Sequence, residues 1–300
     1  MKRKIIYIIN PISGTRTKKD LQQFIEEKTK ETGIPFLIYP SVASGDYSFL
    51  RQIIKEEKTT DIVIAGGDGT VSQVAGSLLN EDVNFGIIPC GSGNGLAFTA
   101  KISKDPVKAL NVIFSGRPSP IDGFLVNDRF ACMLAGLGFD AKVAHEFAEQ
   151  PKRGLMTYAQ LTLKNFFSVK PYQFEINLET TSLYTDAFFI SIANSNQFGN
   201  NFTIAPKASL TDGLLDVVIV TGQNKVSFIL KTLKQLAGWN QLQATSVIKN
   251  EKGVIYFQTD KLSITNHSLA PLHIDGDPAA TEKELKIAIQ KKCFRLIQPA

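Results

Sequence analysis

From Ile5 to about Phe114 short apolar runs alternate with stretches of helical spacing, the pattern of βαβ units around a parallel sheet. Strands are expected over 4–9, 35–39, 61–65 and 85–88, and helices over 17–32, 45–56, 70–80 and 105–114. The third of these helices carries Val71, Val74, Ala75 and Leu78 at helical spacing. Ser115-Gly116-Arg117-Pro118-Ser119-Pro120 then breaks the rhythm. Beyond it, strand-like runs separated by turn residues suggest an antiparallel sandwich or barrel: Phe174 to Leu178, Phe188 to Ala193, Leu214 to Val220, Gly253 to Gln258, Lys261 to Thr265 and Leu285 to Ile289. Helical segments interrupt this half at about 155–167 and 225–238, and no internal repeat or low-complexity tract is present.

Length and composition make this a two-domain reading. A chain of 300 residues with 43% hydrophobic content holds two cores at roughly 150 residues each. The boundary is expected near residues 115–125. Against 28 Asp plus Glu stand 33 Lys plus Arg, a net +5 that suits an anionic ligand or an acidic membrane surface and falls far short of a nucleic-acid-binding signature. Cys90, Cys132 and Cys293 are odd in number and widely spaced, which excludes a disulfide framework and a CxxC pair and fits a reducing cytoplasm. Asn10-Pro11 ends the apolar run Ile5 to Ile9 well short of a signal-peptide core or a membrane span, so any membrane contact would be peripheral, at the inner surface.

The chemistry concentrates at strand ends. Asp61 to Ala65 leads into Gly66-Gly67-Asp68-Gly69-Thr70 and then a helix. Glycines let backbone N–H groups approach phosphate oxygens, and the helix adds its positive end to the same anion. Asp68 is placed to hold Mg²⁺ or to polarise a reacting hydroxyl, and Thr70 to act as N-cap. The plainer reading is a glycine turn whose aspartate caps the helix. What favours the phosphate reading is a second loop of the same design, Cys90-Gly91-Ser92-Gly93-Asn94-Gly95, after the strand Phe85 to Pro89. Two such loops on neighbouring strands form a crevice at the sheet's carboxyl edge, where α/β proteins bind nucleotides. Asn10-Pro11-Ile12-Ser13-Gly14 would stand on that edge too, although Asn-Pro and Ser-Gly are ordinary turn chemistry. Walker, Rossmann dinucleotide and serine-elbow patterns are absent. His145, His267 and His273 lack ligand spacing and are expected in ordinary surface or core roles.

Taken together, Asn10-Pro11-x-Ser13-Gly14, Gly66 to Thr70 and Pro89-x-Gly91-Ser92-Gly93-Asn94 resemble the signature of the diacylglycerol kinase catalytic-domain family, which includes bacterial soluble diacylglycerol kinases, sphingosine kinases and ceramide kinases. The resemblance continues through Ile121-Asp122-Gly123, Gly138 to Ala141, Lys152 to Tyr158, Ala205 to Asp216 and Ile274-Asp275-Gly276-Asp277, nearly the whole chain. It implies a Rossmann-like three-layer α/β domain with a parallel sheet over residues 1–124, a C-terminal tail at about 290–300 returning to it, an antiparallel β-sandwich or barrel-like domain over 125–289, and an active site in the cleft between the two. It further implies ATP and Mg²⁺ as cofactors. The nucleotide would be bound by Asn10, Pro11, Ser13, Gly14, Ser41, Gly66, Gly67, Asp68, Gly69, Thr70, Ser92, Gly93 and Asn94, with Asp68 also near the catalytic Mg²⁺. A structural Mg²⁺ would sit at Asp212, with Ser209 and Leu214 as carbonyl donors. Asp277, at the third position of the family's Asp-Gly-Glu segment, would be the general base.

Two departures bear on the acceptor. Asp277 replaces the usual Glu, one methylene shorter, and a general base must come within about 2.6–3.2 Å of its proton. Gly95-Leu96-Ala97-Phe98 follows Asn94 where bacterial diacylglycerol kinases have Asp-Phe-Ala-Arg, which is closer to sphingosine kinase-like members. The expected reaction is transfer of the γ-phosphate of MgATP to a lipid or other small-molecule hydroxyl. A soluble-substrate kinase of the NAD kinase type and a nucleotide-binding regulator without turnover are the alternatives. Val226, Ile229, Leu230, Leu233 and Leu236 share one face of the 225–239 segment, which reads either as a core-packed helix or as an interfacial one. A homodimer is compatible with all of this.

Overall fold

The apolar runs of the first 90 residues become parallel strands connected by helices, buried except for the edge strand Phe36–Pro40. In a computed structural model of the chain, the described residues are 3–11, 18–150, 155–166, 168–199, 202–203, 205, 207–221, 249–251 and 253–300. They fall into two compact units, Met1–Ile121 with Lys292–Ala300, and Asp122–Lys291.

The first unit runs β1 (Ile5–Ile9), α1 (Lys18–Thr32), β2 (Phe36–Pro40), α2 (Leu50–Glu57), β3 (Asp61–Gly66), α3 (Asp68–Ser77), β4 (Asn84–Pro89), α4 (Gly95–Thr99) and α5 (Pro106–Ser115). The strands are parallel in the order β2-β1-β3-β4, with β1 and β3 buried along their whole length. Because the chain steps from β1 outward to β2 and returns to β3 on the other side, the order reverses between β1 and β3, which is where such sheets open a crevice.

Two helices differ from expectation. The one predicted over 45–56 begins only at Leu50. Gly45, at φ +70, and the Asp46 carboxylate accepting from Ser48 N (2.9 Å) hold the preceding residues as a loop, pinned where Tyr47 N donates to Ser77 Oγ (3.1 Å). The one predicted over 70–80 starts earlier, at Asp68, with Gly67 as N-cap. Thr70 is therefore buried in the first turn and is not the N-cap. By contrast α5 starts as its sequence dictates, Asp105 Oδ1 accepting from Val107 N (2.8 Å) and Pro106 entering the first turn.

β5 (Arg117–Val126) carries the chain into the second unit, followed by β6 (Arg129–Ala131), β7 (Leu134–Gly138), α6 (Phe139–Ala148), α7 (Leu155–Phe166), β8 (Tyr172–Asn177), β9 (Ser182–Ala187), β10 (Phe189–Ala193), β11 (Gln197–Gly199), β12 (Phe202–Thr203), β13 (Leu215–Val220), β14 (Lys249–Glu251), β15 (Val254–Thr259), β16 (Lys261–Asn266), β17 (Leu272–Ile274), β18 (Asp277–Ala279) and β19 (Glu284–Gln298). One antiparallel sheet has the order β14-β15-β13-β10-β7-β17-β18, and β19, β16, β8 and β9 pair in succession in another. Alternate residues from both form one core: Leu215, Val217 and Ile219 of β13, Ile190 and Ile192 of β10, Phe174 and Ile176 of β8, and Leu285 and Ile287 of β19. The expected sandwich is thus present. The helix α6, packed on β7, β17 and β18, was not anticipated, and the 225–238 segment lies outside the described residues.

β19 serves both units in turn. Glu284 to Ala288 pair with β16 in the second, and Arg295 and Leu296 pair in parallel with β4 in the first. Phe294 meets Phe85 edge to face at 5.7 Å, a pairing worth about 0.5–1.5 kcal/mol beyond the area it buries.

Candidate functional site

The carboxyl ends of β1, β2, β3 and β4 bring Asn10, Ser41, Gly66 to Thr70 and Ser92 to Asn94 to one edge of the first unit's sheet. Backbone bonds stitch that edge together: Ser41 N to Ile9 O (2.9 Å), Asn10 N to Ala65 O (2.9 Å) and Cys90 N to Gly66 O (2.9 Å). Asn10 Nδ2 donates to Thr70 Oγ1 (2.8 Å), a bond spanning the point where strand order reverses. Pro11 is exposed beside it, while Ser13 and Gly14 lie outside the described residues.

The two glycine loops touch through their backbones. A Cβ on Gly91 would stand 2.6 Å from Gly67 Cα, closer than any real side chain comes, so this approach requires glycine. Asn94 closes its own loop in the left-handed region (φ 60), accepting from Gly91 N (2.8 Å) and donating to Gly91 O (2.7 Å). Gly67 at the N-cap has no side chain with which to receive the first amides of α3. Those amides and the positive end of the helix face the crevice edge, the arrangement that takes an anion.

Asp68 does more than the glycines around it. Its Oδ2 accepts from Gly95 N (3.0 Å) and its Oδ1 from Leu96 N (3.2 Å), so the carboxylate ties the first loop to the start of α4. A capping role for this aspartate is therefore real, but the helix it caps is the next one. Among the described residues no group of three or more His, Cys, Asp or Glu side chains is arranged to hold a metal ion. Mg²⁺ commonly makes do with one or two carboxylates, water and substrate phosphates, and a single fixed carboxylate at a helix N-terminus fits that habit.

In the second unit, Asp277 is exposed at the start of β18. The preceding Asp275 (φ 49) and Gly276 (φ 84) both sit at positive φ, forming the tight two-residue hairpin that Asp-Gly favours. Asp275 itself is buried, its carboxylate accepting from Cys132 N (2.8 Å), Met133 N (2.9 Å) and Leu134 N (2.8 Å). Elsewhere in the same unit, the turn before β13 carries the proposed metal donors. Asp212 Oδ1 accepts from Leu214 N (3.1 Å), and Gly213 N donates to Asp122 Oδ2 (2.8 Å). Burial, and then the neighbouring Asp122, raise the Asp212 pKa above the ordinary carboxylate value. The two neighbouring carboxylates Asp212 and Asp122 are of the hard-oxygen type that suits a divalent cation. Two strand positions on, burial pushes the Asp216 pKa up to about 6 despite hydrogen bonds donated by Tyr256 and Gln258.

Asp122, Asp216, Asp275 and the buried pair His273 and Asp140 carry structure that spacing alone did not reveal. The four aspartates lie inside the resemblance motifs Ile121-Asp122-Gly123, Gly138 to Ala141, Ala205 to Asp216 and Ile274 to Asp277, which carried their signal. A cavity of about 290 Å³ lies in the first unit among Arg3, Thr60, Asp61, Asn84 and Ile297, at the starts of the strands rather than at the glycine loops. Its polar groups bind one another, Arg3 Nε to Asp61 (3.0 Å) and Asn84 Nδ2 to Asp61 (3.0 Å), so it is built as a structural junction. Among the described residues no helix is long and apolar enough to cross a membrane.

Comparison with known proteins converges on one family. A family model described as "Diacylglycerol kinase catalytic domain" matches residues 4–126, and one described as "YegS C-terminal NAD kinase beta sandwich-like domain" matches residues 134–296. The chain is 26% identical over 284 residues to a diacylglycerol kinase of Bacillus subtilis (strain 168), covering 92% of this chain and 90% of the relative. It is 32% identical over 279 residues to a protein of Enterobacter sp. (strain 638) named "Probable lipid kinase YegS-like", covering 90% and 89%. The fold matches a crystal structure of a diacylglycerol kinase from Bacillus anthracis str. Sterne, with a TM-score of 0.74 and 17% identity, over 99% of this chain and 97% of that one.

Proposed function

The chain belongs to the lipid kinase family that joins a diacylglycerol kinase catalytic domain to a YegS-type C-terminal domain, and from that premise we propose that it transfers the γ-phosphate of MgATP to the hydroxyl of a diacylglycerol- or sphingoid-base-like lipid. One observation supports the donor side above the rest. The Gly67 and Gly91 backbones meet across two strand ends, in front of a helix whose N-cap glycine supplies no side-chain acceptor for its first turn.

Phosphoryl transfer asks a protein mainly for positioning and charge neutralisation. In this reading the amides of Gly67 to Thr70 receive phosphate oxygens, Asn10 fixes the Thr70 hydroxyl, and Ser41, Ser92, Gly93 and Asn94 frame the rest of the nucleotide. Bound Mg²⁺ would offset charge on the phosphate oxygens, with Asp68 as its carboxylate partner. A second Mg²⁺ at Asp212, Ser209 and Leu214 would be structural. Asp277 accepts the proton of the attacking hydroxyl. A lipid acceptor also requires peripheral contact with a membrane surface.

The test is transfer of radiolabelled phosphate from ATP into diacylglycerol, sphingoid bases, ceramide and NAD as separate acceptors. The expected result is one labelled lipid, and at least a hundredfold lower kcat for Asp68→Ala. Label in NAD alone would move the chain to the soluble-substrate kinases, and ATP binding without ADP release on any acceptor would make it a regulator. Normal turnover by Asp68→Ala would overturn the assignment of that loop.

A further inference from the structure

Beneath the hairpin that carries Asp277 lies a histidine–aspartate pair that no step of the proposed reaction uses. His273, on β17, and Asp140, the second residue of α6, are 1% and 7% exposed. His273 Nε2 lies 3.4 Å from Asp140 Oδ2, and the other Asp140 oxygen accepts from Ala141 N at 2.8 Å. On the far side of the ring, His273 Nδ1 accepts from Gly276 N at 3.4 Å, and Gly276 is the residue immediately before Asp277. The two ring nitrogens thus have opposite duties, Nε2–H toward a carboxylate and the Nδ1 lone pair toward a backbone amide. This geometry favours one tautomer, with the proton on Nε2.

The sequence makes room for the pair at one position. Gly136 on β7 stands directly across from His273, and a Cβ there would meet Asp140 Oδ2 at 2.2 Å and His273 Nε2 at 2.4 Å. A side chain at 136 would occupy the space in which carboxylate and imidazole meet.

We propose that His273 and Asp140 form a positioning pair for Asp277, Asp140 orienting the imidazole and His273 Nδ1 holding the Gly276 amide so that the hairpin presents Asp277 in one orientation. The inference rests on Asp277 being the base of the reaction proposed above. In this proposal both residues of the pair act through the hairpin backbone. Its effect is to remove freedom from a side chain that, being one methylene shorter than Glu, has less reach to spare. Misplacement of a reacting group by about 1 Å costs on the order of a hundredfold in rate, so loss of one of several restraints corresponds to about tenfold.

Three substitutions in the full-length protein separate the outcomes: His273→Leu, His273→Asn, whose Oδ1 takes the place of Nδ1 and keeps an acceptor for Gly276, and Asp277→Asn. Steady-state kcat and KM for ATP, and amide hydrogen exchange at Gly276, are measured for each. His273→Leu should lower kcat about tenfold with KM for ATP unchanged and speed Gly276 exchange by a similar factor. His273→Asn should recover kcat to within about threefold of the parent. If His273→Leu keeps full kcat while Asp277→Asn is inactive, the positioning role is overturned and the base assignment stands. Equal losses in His273→Leu and His273→Asn would reduce the pair to fold support and overturn it as well. Full activity in Asp277→Asn would overturn the base assignment and this inference with it.

Discussion

At the sheet edge of the first unit, the loops are held by main-chain groups and the Asn10 and Asn94 amides, with Asp68 the one carboxylate among Asn10, Gly66 to Thr70 and Gly91 to Gly95. In the second unit the turns are held by carboxylates: Asp122 receives Gly213 N, Asp212 receives Leu214 N, and Asp275 receives three amides. The difference follows from what each has to leave behind. A phosphate-binding edge works by keeping amides available, and acidic side chains would occupy them. A turn that must hold a candidate base in place gains from an acceptor fixed in the interior. The meeting of the Gly67 and Gly91 loops is therefore sensitive to added atoms, and the carboxylate-held turns of the second unit to removed ones.

The sharpest test of that contrast is Asp275→Ala. It strips the acceptor from Cys132 N, Met133 N and Leu134 N in a buried site, and each orphaned amide costs about 1–3 kcal/mol. A loss of about 4 kcal/mol in urea unfolding is expected. A loss below about 1 kcal/mol would mean that the hairpin is held by other contacts. Next in size is Gly91→Ala. The added Cβ forces the two loops apart, with a stability loss of about 1–3 kcal/mol and at least a tenfold loss of ATP affinity by calorimetry. Unchanged affinity would break the link between the loop contact and the nucleotide.

Asp216→Asn gives the smallest effect and has the opposite sign. The folded-state pKa of Asp216 lies near 6, above its ordinary 3.8, so its contribution to stability is full below about 3.8 and is lost as pH rises through about 6. A neutral Asn, still able to accept from Tyr256, escapes that loss. The variant should match the parent near pH 4 and exceed it by about 2 kcal/mol at pH 7.5 in metal-free buffer. A parallel pair of stability curves would show that Asp216 does not titrate in this range.

How far these features could be read from the chain depended on what carried them. β1 and β3 were legible as continuous apolar runs because a parallel strand is covered on both faces. The glycine loops were legible because backbone contact demands glycine at fixed places. The start of α2 was placed too early because the turn chemistry of Gly45-Asp46 was absorbed into the helix, and the loop is also pinned by Ser77, more than 25 residues away. α6 was missed because Phe139 to Ala148 follows β7 directly, with Gly138, at φ 97, ending the strand and capping the helix at once. Asp68 shows the limit at the site itself. A carboxylate in a glycine loop can face a ligand or an amide, and only the position of Gly95 and Leu96 tells that it meets amides.

The path of β19 has a consequence for how the protein is made. Phe294, Leu296 and Ile297 are core residues of the first unit, yet the ribosome adds them only after every residue of the second. The β4 edge of the parallel sheet must wait, with Phe85 and its neighbours unpartnered, while some 170 residues are synthesised, which at about 5–20 residues per second is roughly ten to thirty seconds. The first unit is thus first to start and last to finish.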